Sequence, residues 1–168
     1  MKRVLVVILV VIGCLTAAGI MLVPPARERA RRASCISPLQ CCFRKAMKMY
    51  ALDHNGQFPS NFADLAESYA RQPKLYLCPG SGTPPGSITN VDQWMDYIYI
   101  YWPDGEKTPT NYPWVYERRL RHHQGKGIHV APIDGDAFWD EGAEWLQRFA
   151  EEHPELRIPM PEDLEESQ

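Results

Sequence analysis

An α+β fold is predicted for this chain: a long N-terminal helix, a short helix, then a small antiparallel β-sheet. Three observations predict it. Val4 to Val23 is a run of twenty residues without a charge. Leu39, Phe43, Ala46, Met47 and Tyr50 then recur at three- and four-residue spacing, the period of one helix face. Further on, Tyr97-Ile98-Tyr99-Ile100-Tyr101-Trp102 is β-branched or aromatic throughout, and turn residues follow it.

The apolar run reads as a membrane anchor. Twenty helical residues rise ~30 Å, the thickness of the hydrocarbon core. A lipid environment forces such a run to be helical, because the backbone has no other hydrogen-bond partner there. Two alternatives compete. Thr16-Ala17-Ala18-Gly19 could end a cleaved signal peptide, and Val11-Ile12-Gly13-Cys14 has the form of a lipobox. In both cases the apolar residues continue past the expected cleavage point, which favours an uncleaved span. The positive-inside count opposes export of the domain: Arg27, Arg29, Arg31 and Arg32 lie on one side of the run, Lys2 and Arg3 on the other.

The elements after the anchor follow from local chemistry. Pro24-Pro25 closes the span, and a helix from Ala26 to Asp53 follows, with Pro38 expected to bend it. Asn55-Gly56 supplies left-handed residues to end it. Asn61 is placed to cap a short helix whose apolar face is Phe62, Leu65, Ala66 and Tyr69. Trp114 to Glu117 reads as a second strand. Ile128–Ile133 and Asp136–Trp139 read as a hairpin about Asp134-Gly135. Pro132 argues that the first of these two strands is an edge. Ala143–Glu152 reads as a helix with Trp145, Leu146 and Phe149 inward. The organisation is therefore an anchor over 1–23, a juxtamembrane helix over 24–54, a globular domain over 55–153 and a disordered acidic tail over 154–168.

Charge is distributed unevenly. Between Pro24 and Tyr50 seven basic residues face one acidic residue, a net +6. Between Asp134 and Gln168 twelve acidic residues face Arg148 and Arg157, a net −10. Basic residues beside a span are attracted to anionic lipid head groups. No nucleic-acid-binding motif accompanies them, so the lipid bilayer and not nucleic acid is the expected partner. No cysteine pair has the C-x-x-C spacing of a zinc or redox site. A disulfide is expected between Cys78 and the helix carrying Cys35, Cys41 and Cys42, with Cys35 favoured. The alternative is a set of buried free thiols.

Chemistry has few footholds. His122, His123, His129, Asp134, Asp136 and Asp140 lie close in sequence, but they lack the H-E-x-x-H pattern of zinc and the alternating carboxylates of a calcium loop. Asp134-Gly135 is more simply a turn, so no metal is expected. Gly80-Ser81-Gly82 is not a nucleophile elbow. Cys78 with a distant histidine could make a nucleophilic pair, as in a membrane-tethered hydrolase, but Cys-Pro after a short apolar run reads as structural. No catalytic residue and no cofactor are expected, and the chain is read as a non-enzyme. Tyr97, Tyr99 and Tyr101 are the candidate partner-binding face.

The stretch Ala26-Arg27-Glu28-Arg29-Ala30-Arg31-Arg32-Ala33-Ser34-Cys35-Ile36-Ser37 resembles pseudopilin-like proteins related to the major pseudopilin of type II secretion, of the planctomycete and verrucomicrobial type. So do Met49 to Pro59, Leu77-Cys78-Pro79, His122-His123 with its Gly-rich turn, and Asp134-Gly135 with Trp145-Leu146. The resemblance implies a pilin-like fold, a long helix half in the membrane and half packed on an antiparallel sheet. It implies a single-pass protein of the bacterial inner membrane, N-terminus cytoplasmic and domain periplasmic, against the charge count. A Cys35–Cys78 pair fits that location. Other pseudopilin or secretion-system subunits are the implied partners. The chain departs from the pilin pattern in having no Gly-Phe junction before the apolar run and no glutamate inside it. A non-polymerising anchored binding module is therefore the alternative.

Overall fold

The computed structural model describes residues 26–165. The anchor expected over 1–23 lies outside these residues. Among the described residues no helix is long and apolar enough to cross a membrane.

The described residues open in helix α1, residues 26–53, which runs unbroken through Pro38. Pro38 has no N–H to donate, and the helix accommodates it by widening to π spacing over Pro38–Phe43. One stripe of α1 is buried: Glu28, Cys35, Leu39, Phe43, Ala46, Met47 and Ala51. Steps of three, four and seven residues, with Met47 beside Ala46, keep them on one face. The helix stops where expected. Asn55 and Gly56 take positive φ, and the Gly56 N–H donates back to the Ala51 carbonyl at 2.8 Å.

Helix α2, Phe62–Ser68, begins at the cap expected for it. The Asn61 side chain accepts the Asp64 N–H at 2.9 Å. Asp92, thirty residues on, accepts the Phe62 and Ala63 N–H groups at 2.8 and 2.9 Å. Two carboxylate oxygens at a helix N-terminus satisfy donors that the helix cannot. Asp92 lies in a single helical turn, α3, Val91–Trp94, so this contact also ties two parts of the chain.

The sheet is a four-stranded antiparallel meander: β1 Tyr97–Tyr99, β2 Pro113–Glu117, β3 Gly127–Pro132 and β4 Phe138–Glu141, in that order. The first strand is shorter than its composition predicts, although Ile100 still donates to the Trp114 carbonyl at 2.8 Å. The β3–β4 connection is also longer than a two-residue turn, since Val130 pairs with Phe138. Pro132 does not mark an edge. β3 is interior between β2 and β4, and Pro132 is tolerated because it is the last residue of the strand.

The core lies between α1, α2 and one face of the sheet. Phe43 on α1 packs on Phe62, Tyr76 and Tyr97 with ring centroids 5.0, 5.1 and 5.7 Å away. Edge-to-face and offset contacts of this kind add about 0.5–1.5 kcal/mol each beyond area burial. Helix α4, Glu144–Glu152, packs beside β4 through Leu146 and Phe149, with Trp145 only half-buried. The buried Asp140 carboxylate starts it, accepting the Trp145 and Leu146 N–H groups at 2.9 Å each.

The segment from Pro154 to Glu165 is a correction to the disordered tail expected there. It folds back onto the domain and ends in a turn of helix, α5, Glu162–Glu165. Ile158 is buried. Glu162 pairs with Arg118 and Arg119, and Asp163 accepts the Leu120 and Arg121 N–H groups at 2.9 and 2.7 Å. Its acidic residues are complementary to the two arginines after β2, a contact that composition alone does not reveal.

Candidate functional site

In the first half of α1, and against it, five buried polar side chains converge from four parts of the fold. Glu28 and Cys35 come from α1, two turns apart on the buried stripe. Cys78 follows the 3₁₀ turn Pro73–Tyr76, Glu117 ends β2, and His123 ends the 3₁₀ turn Leu120–His123. Glu117 and His123 are fully buried.

Cys35 and Cys78, the pair favoured from the sequence, meet. Their Sγ atoms are 2.7 Å apart and both are free thiols. Cys41 and Cys42, the other candidates on α1, point elsewhere, exposed and half-buried. Backbone geometry fixes Cys78: its N–H donates to Asp96 at 2.9 Å, and the Gly80 N–H donates to its Sγ at 3.4 Å. Only glycine fits at position 80, where a Cβ would sit 2.2 Å from the His122 carbonyl oxygen.

His123 lies between two carboxylates. Its Nδ1 is 2.9 Å from Glu28 Oε1 and its Nε2 is 3.0 Å from Glu117 Oε1. The other oxygen of Glu117 accepts the His129 N–H at 2.8 Å and faces its Nδ1 at 3.2 Å. Arg32 pairs with Glu28 at 3.3 Å and lies 3.7 Å over the Trp139 ring. Trp139 in turn meets the His123 and His129 rings edge to face.

The environment shifts the titrations. Burial alone would push Glu117 up, but hydrogen bonds from His123 and His129 hold it down at about 2. Burial would push His123 down, but hydrogen bonds to Cys78 and Glu117 and their charges hold it up at about 10. A protonated His123 donates to both carboxylates. Its Nε2 is also 3.6 Å from Cys78 Sγ. The contact with Cys35, against burial, lowers the Cys78 thiol, while the same contact and burial raise Cys35. Burial, followed by the charges of Glu117, Cys35 and Cys78, pushes Tyr97 well up. The Tyr97 hydroxyl is buried without a hydrogen-bond partner among the described residues.

Sequence reasoning named Cys35, Cys78 and His123 and missed the two carboxylates, Glu28 and Glu117. It weighed His123 with Asp134, Asp136 and Asp140, and the fold separates them: Asp134 and Asp136 pair with Arg44, and Asp140 caps α4. Glu28 read as one charge in an arginine-rich stretch, and Glu117 as the end of a strand. The available signal was a carboxylate closing an otherwise apolar strand, Trp114-Val115-Tyr116-Glu117.

The partner-binding face also needs correcting. Tyr97 is fully buried in the core and is no part of a surface. Tyr99 is half-buried with its hydroxyl donating to the Pro59 carbonyl at 2.6 Å. Tyr101 alone is exposed, at 44%. Tyr99 and Tyr101 share an open groove of about 500 Å³ with Met95, Ile98, Arg118 and Met160. Alternation on β1 sends Tyr97 and Tyr99 to the face that α1 and α2 cover.

The chain matches no family model, no curated protein and no solved structure. A pair of sulfurs, an imidazole and a carboxylate, all sealed from solvent, can act as a clasp or hold an ion. Cys78 is 2% exposed.

Proposed function

We propose that this protein is a membrane-anchored, pseudopilin-like envelope component with a structural or assembly role in a type II secretion or type IV pilus-like system. One observation carries this reading. Helix α1, described from Ala26, follows the apolar run Val4–Val23 in sequence and lays one buried stripe against an α+β domain with an antiparallel sheet. A helix that is lipid-compatible in its first half and amphipathic in its second can link a membrane to a folded head. The buried Glu28–His123–Glu117 chain and the two cysteines fasten that helix to the sheet, so force on one is transmitted to the other. On the opposite face of α1, Met49 and Leu52 are exposed large apolar side chains available to a neighbouring subunit.

Crosslinking of the native protein in membranes tests this. Assembly gives a ladder of multimers, weakened by Met49→Glu and Leu52→Glu. A single monomer band overturns assembly and leaves the second reading, an anchored binding module. That reading has its own support, because the apolar run carries no glutamate to register neighbouring subunits. Protease added to spheroplasts tests the topology: digestion of the head supports export, and full protection refutes it.

A further inference from the structure

We propose that Cys35, Cys78, His123 and Glu117 form a closed four-ligand site for a thiophilic divalent cation, zinc being the probe. The proposal goes beyond the anchoring role and does not depend on assembly. Sγ of Cys35, Sγ of Cys78, a ring nitrogen of His123 and a carboxylate oxygen of Glu117 all lie within 4.8 Å of one another, and all four residues are buried. Zinc is bound by this donor set, four at a time and tetrahedrally, in structural sites. Two sulfur donors select against magnesium and calcium, which take oxygen ligands.

The outer contacts are those of a prepared site. A metal-binding histidine directs one ring nitrogen to the ion and the other to a carboxylate or carbonyl. His123 does this, with Nδ1 on Glu28 at 2.9 Å and Nε2 turned to the cluster. Glu117 keeps one oxygen for His129 and presents the other inward. The Gly80 N–H directed at Cys78 Sγ offers a hydrogen bond that a thiolate ligand accepts.

The close approaches point the same way. Without a metal ion, the 3.0 Å approach of His123 Nε2 to Glu117 Oε1 holds a proton, and a bound cation takes that proton's place. The two sulfurs, 2.7 Å apart, are the second close approach. A proton on His123 relieves only the first contact, and an S–S bond only the second. One cation at the centre relieves both, if the sulfurs open by about 1 Å to the ~3.8 Å that tetrahedral 2.3 Å bonds require.

The test uses the full-length chain, purified from membranes in detergent without chelator. Elemental analysis is expected to find one zinc per chain. After removal and replacement by cobalt, a sulfur-to-cobalt charge-transfer band and intense tetrahedral d–d bands are expected. Cys35→Ser with Cys78→Ser, and separately His123→Gln, should lose at least tenfold in zinc occupancy. Cys41→Ser with Cys42→Ser should retain it. The wild-type cobalt spectrum decides the matter even if a variant fails to fold. The proposal is overturned by a zinc-free protein carrying a Cys35–Cys78 disulfide. It is overturned equally by a reduced chain that takes up no cobalt, or one that binds it with no charge-transfer band.

Discussion

Replacing Glu117 by glutamine tests whether the buried cluster is ionic. Glu117 is fully buried and faces three donors: His123 Nε2 at 3.0 Å, the His129 N–H at 2.8 Å and His129 Nδ1 at 3.2 Å. Glutamine has the same shape but no charge, and its NH₂ must turn toward one of those donors. A hydrogen bond to a charged group contributes about 1.5–3 kcal/mol. Removing one member of a buried ion pair costs about 3–5 kcal/mol, because the other is left uncompensated. The loss expected for Glu117→Gln is therefore about 3 kcal/mol. It should be read from urea denaturation of the detergent-solubilised chain, followed by tryptophan fluorescence, with chelator and reductant present to exclude metal and disulfide contributions.

The pH dependence gives this prediction its signature. Glu117 is lowered to about 2 from 4.5, so its contribution is complete above pH 4.5 and is lost as pH falls through about 2. His123 is raised to about 10 from 6.5, so its contribution is complete below pH 6.5 and is lost as pH rises through about 10. The gap between wild type and variant is then widest between about pH 4.5 and 6.5 and closes on both sides. A gap under about 0.5 kcal/mol at pH 6, or one that stays constant from pH 3 to 10, refutes the ionic account.

Four further variants have expected outcomes, their stability read by the same denaturation. Phe43→Ala removes a fully buried ring that touches three others and should cost about 3–5 kcal/mol; under 1 kcal/mol would mean that α1 does not seat on this core. Gly105→Ala should cost more than about 2 kcal/mol, because position 105 has φ +56° and an added Cβ would lie 2.1 Å from the Gly56 carbonyl oxygen. Tyr101→Ser should leave stability within about 0.5 kcal/mol while reducing co-purification of envelope proteins. Tyr97→Ser should instead cost about 3 kcal/mol, and equal effects at the two positions would contradict their opposite burial.

The sequence by itself determined the local elements. The apolar stripe of α1, its stop at Asn55-Gly56, the Asn61 cap, the strand at Trp114–Glu117 and the helix over Glu144–Glu152 are all written in spacing and turn chemistry, which act between near neighbours. It also marked the Cys35–Cys78 encounter.

Only the tertiary structure decided what meets across the chain. Glu28 and His123 are 95 residues apart, and neither carries a local signal that the other will neutralise it. The interior position of β3, the burial of Tyr97 and the docking of 154–165 on Arg118 and Arg119 have the same origin. Periodicity gives the direction of a side chain relative to its own element. Which charge or sulfur it then meets depends on how the elements pack, and that is a property of the whole fold.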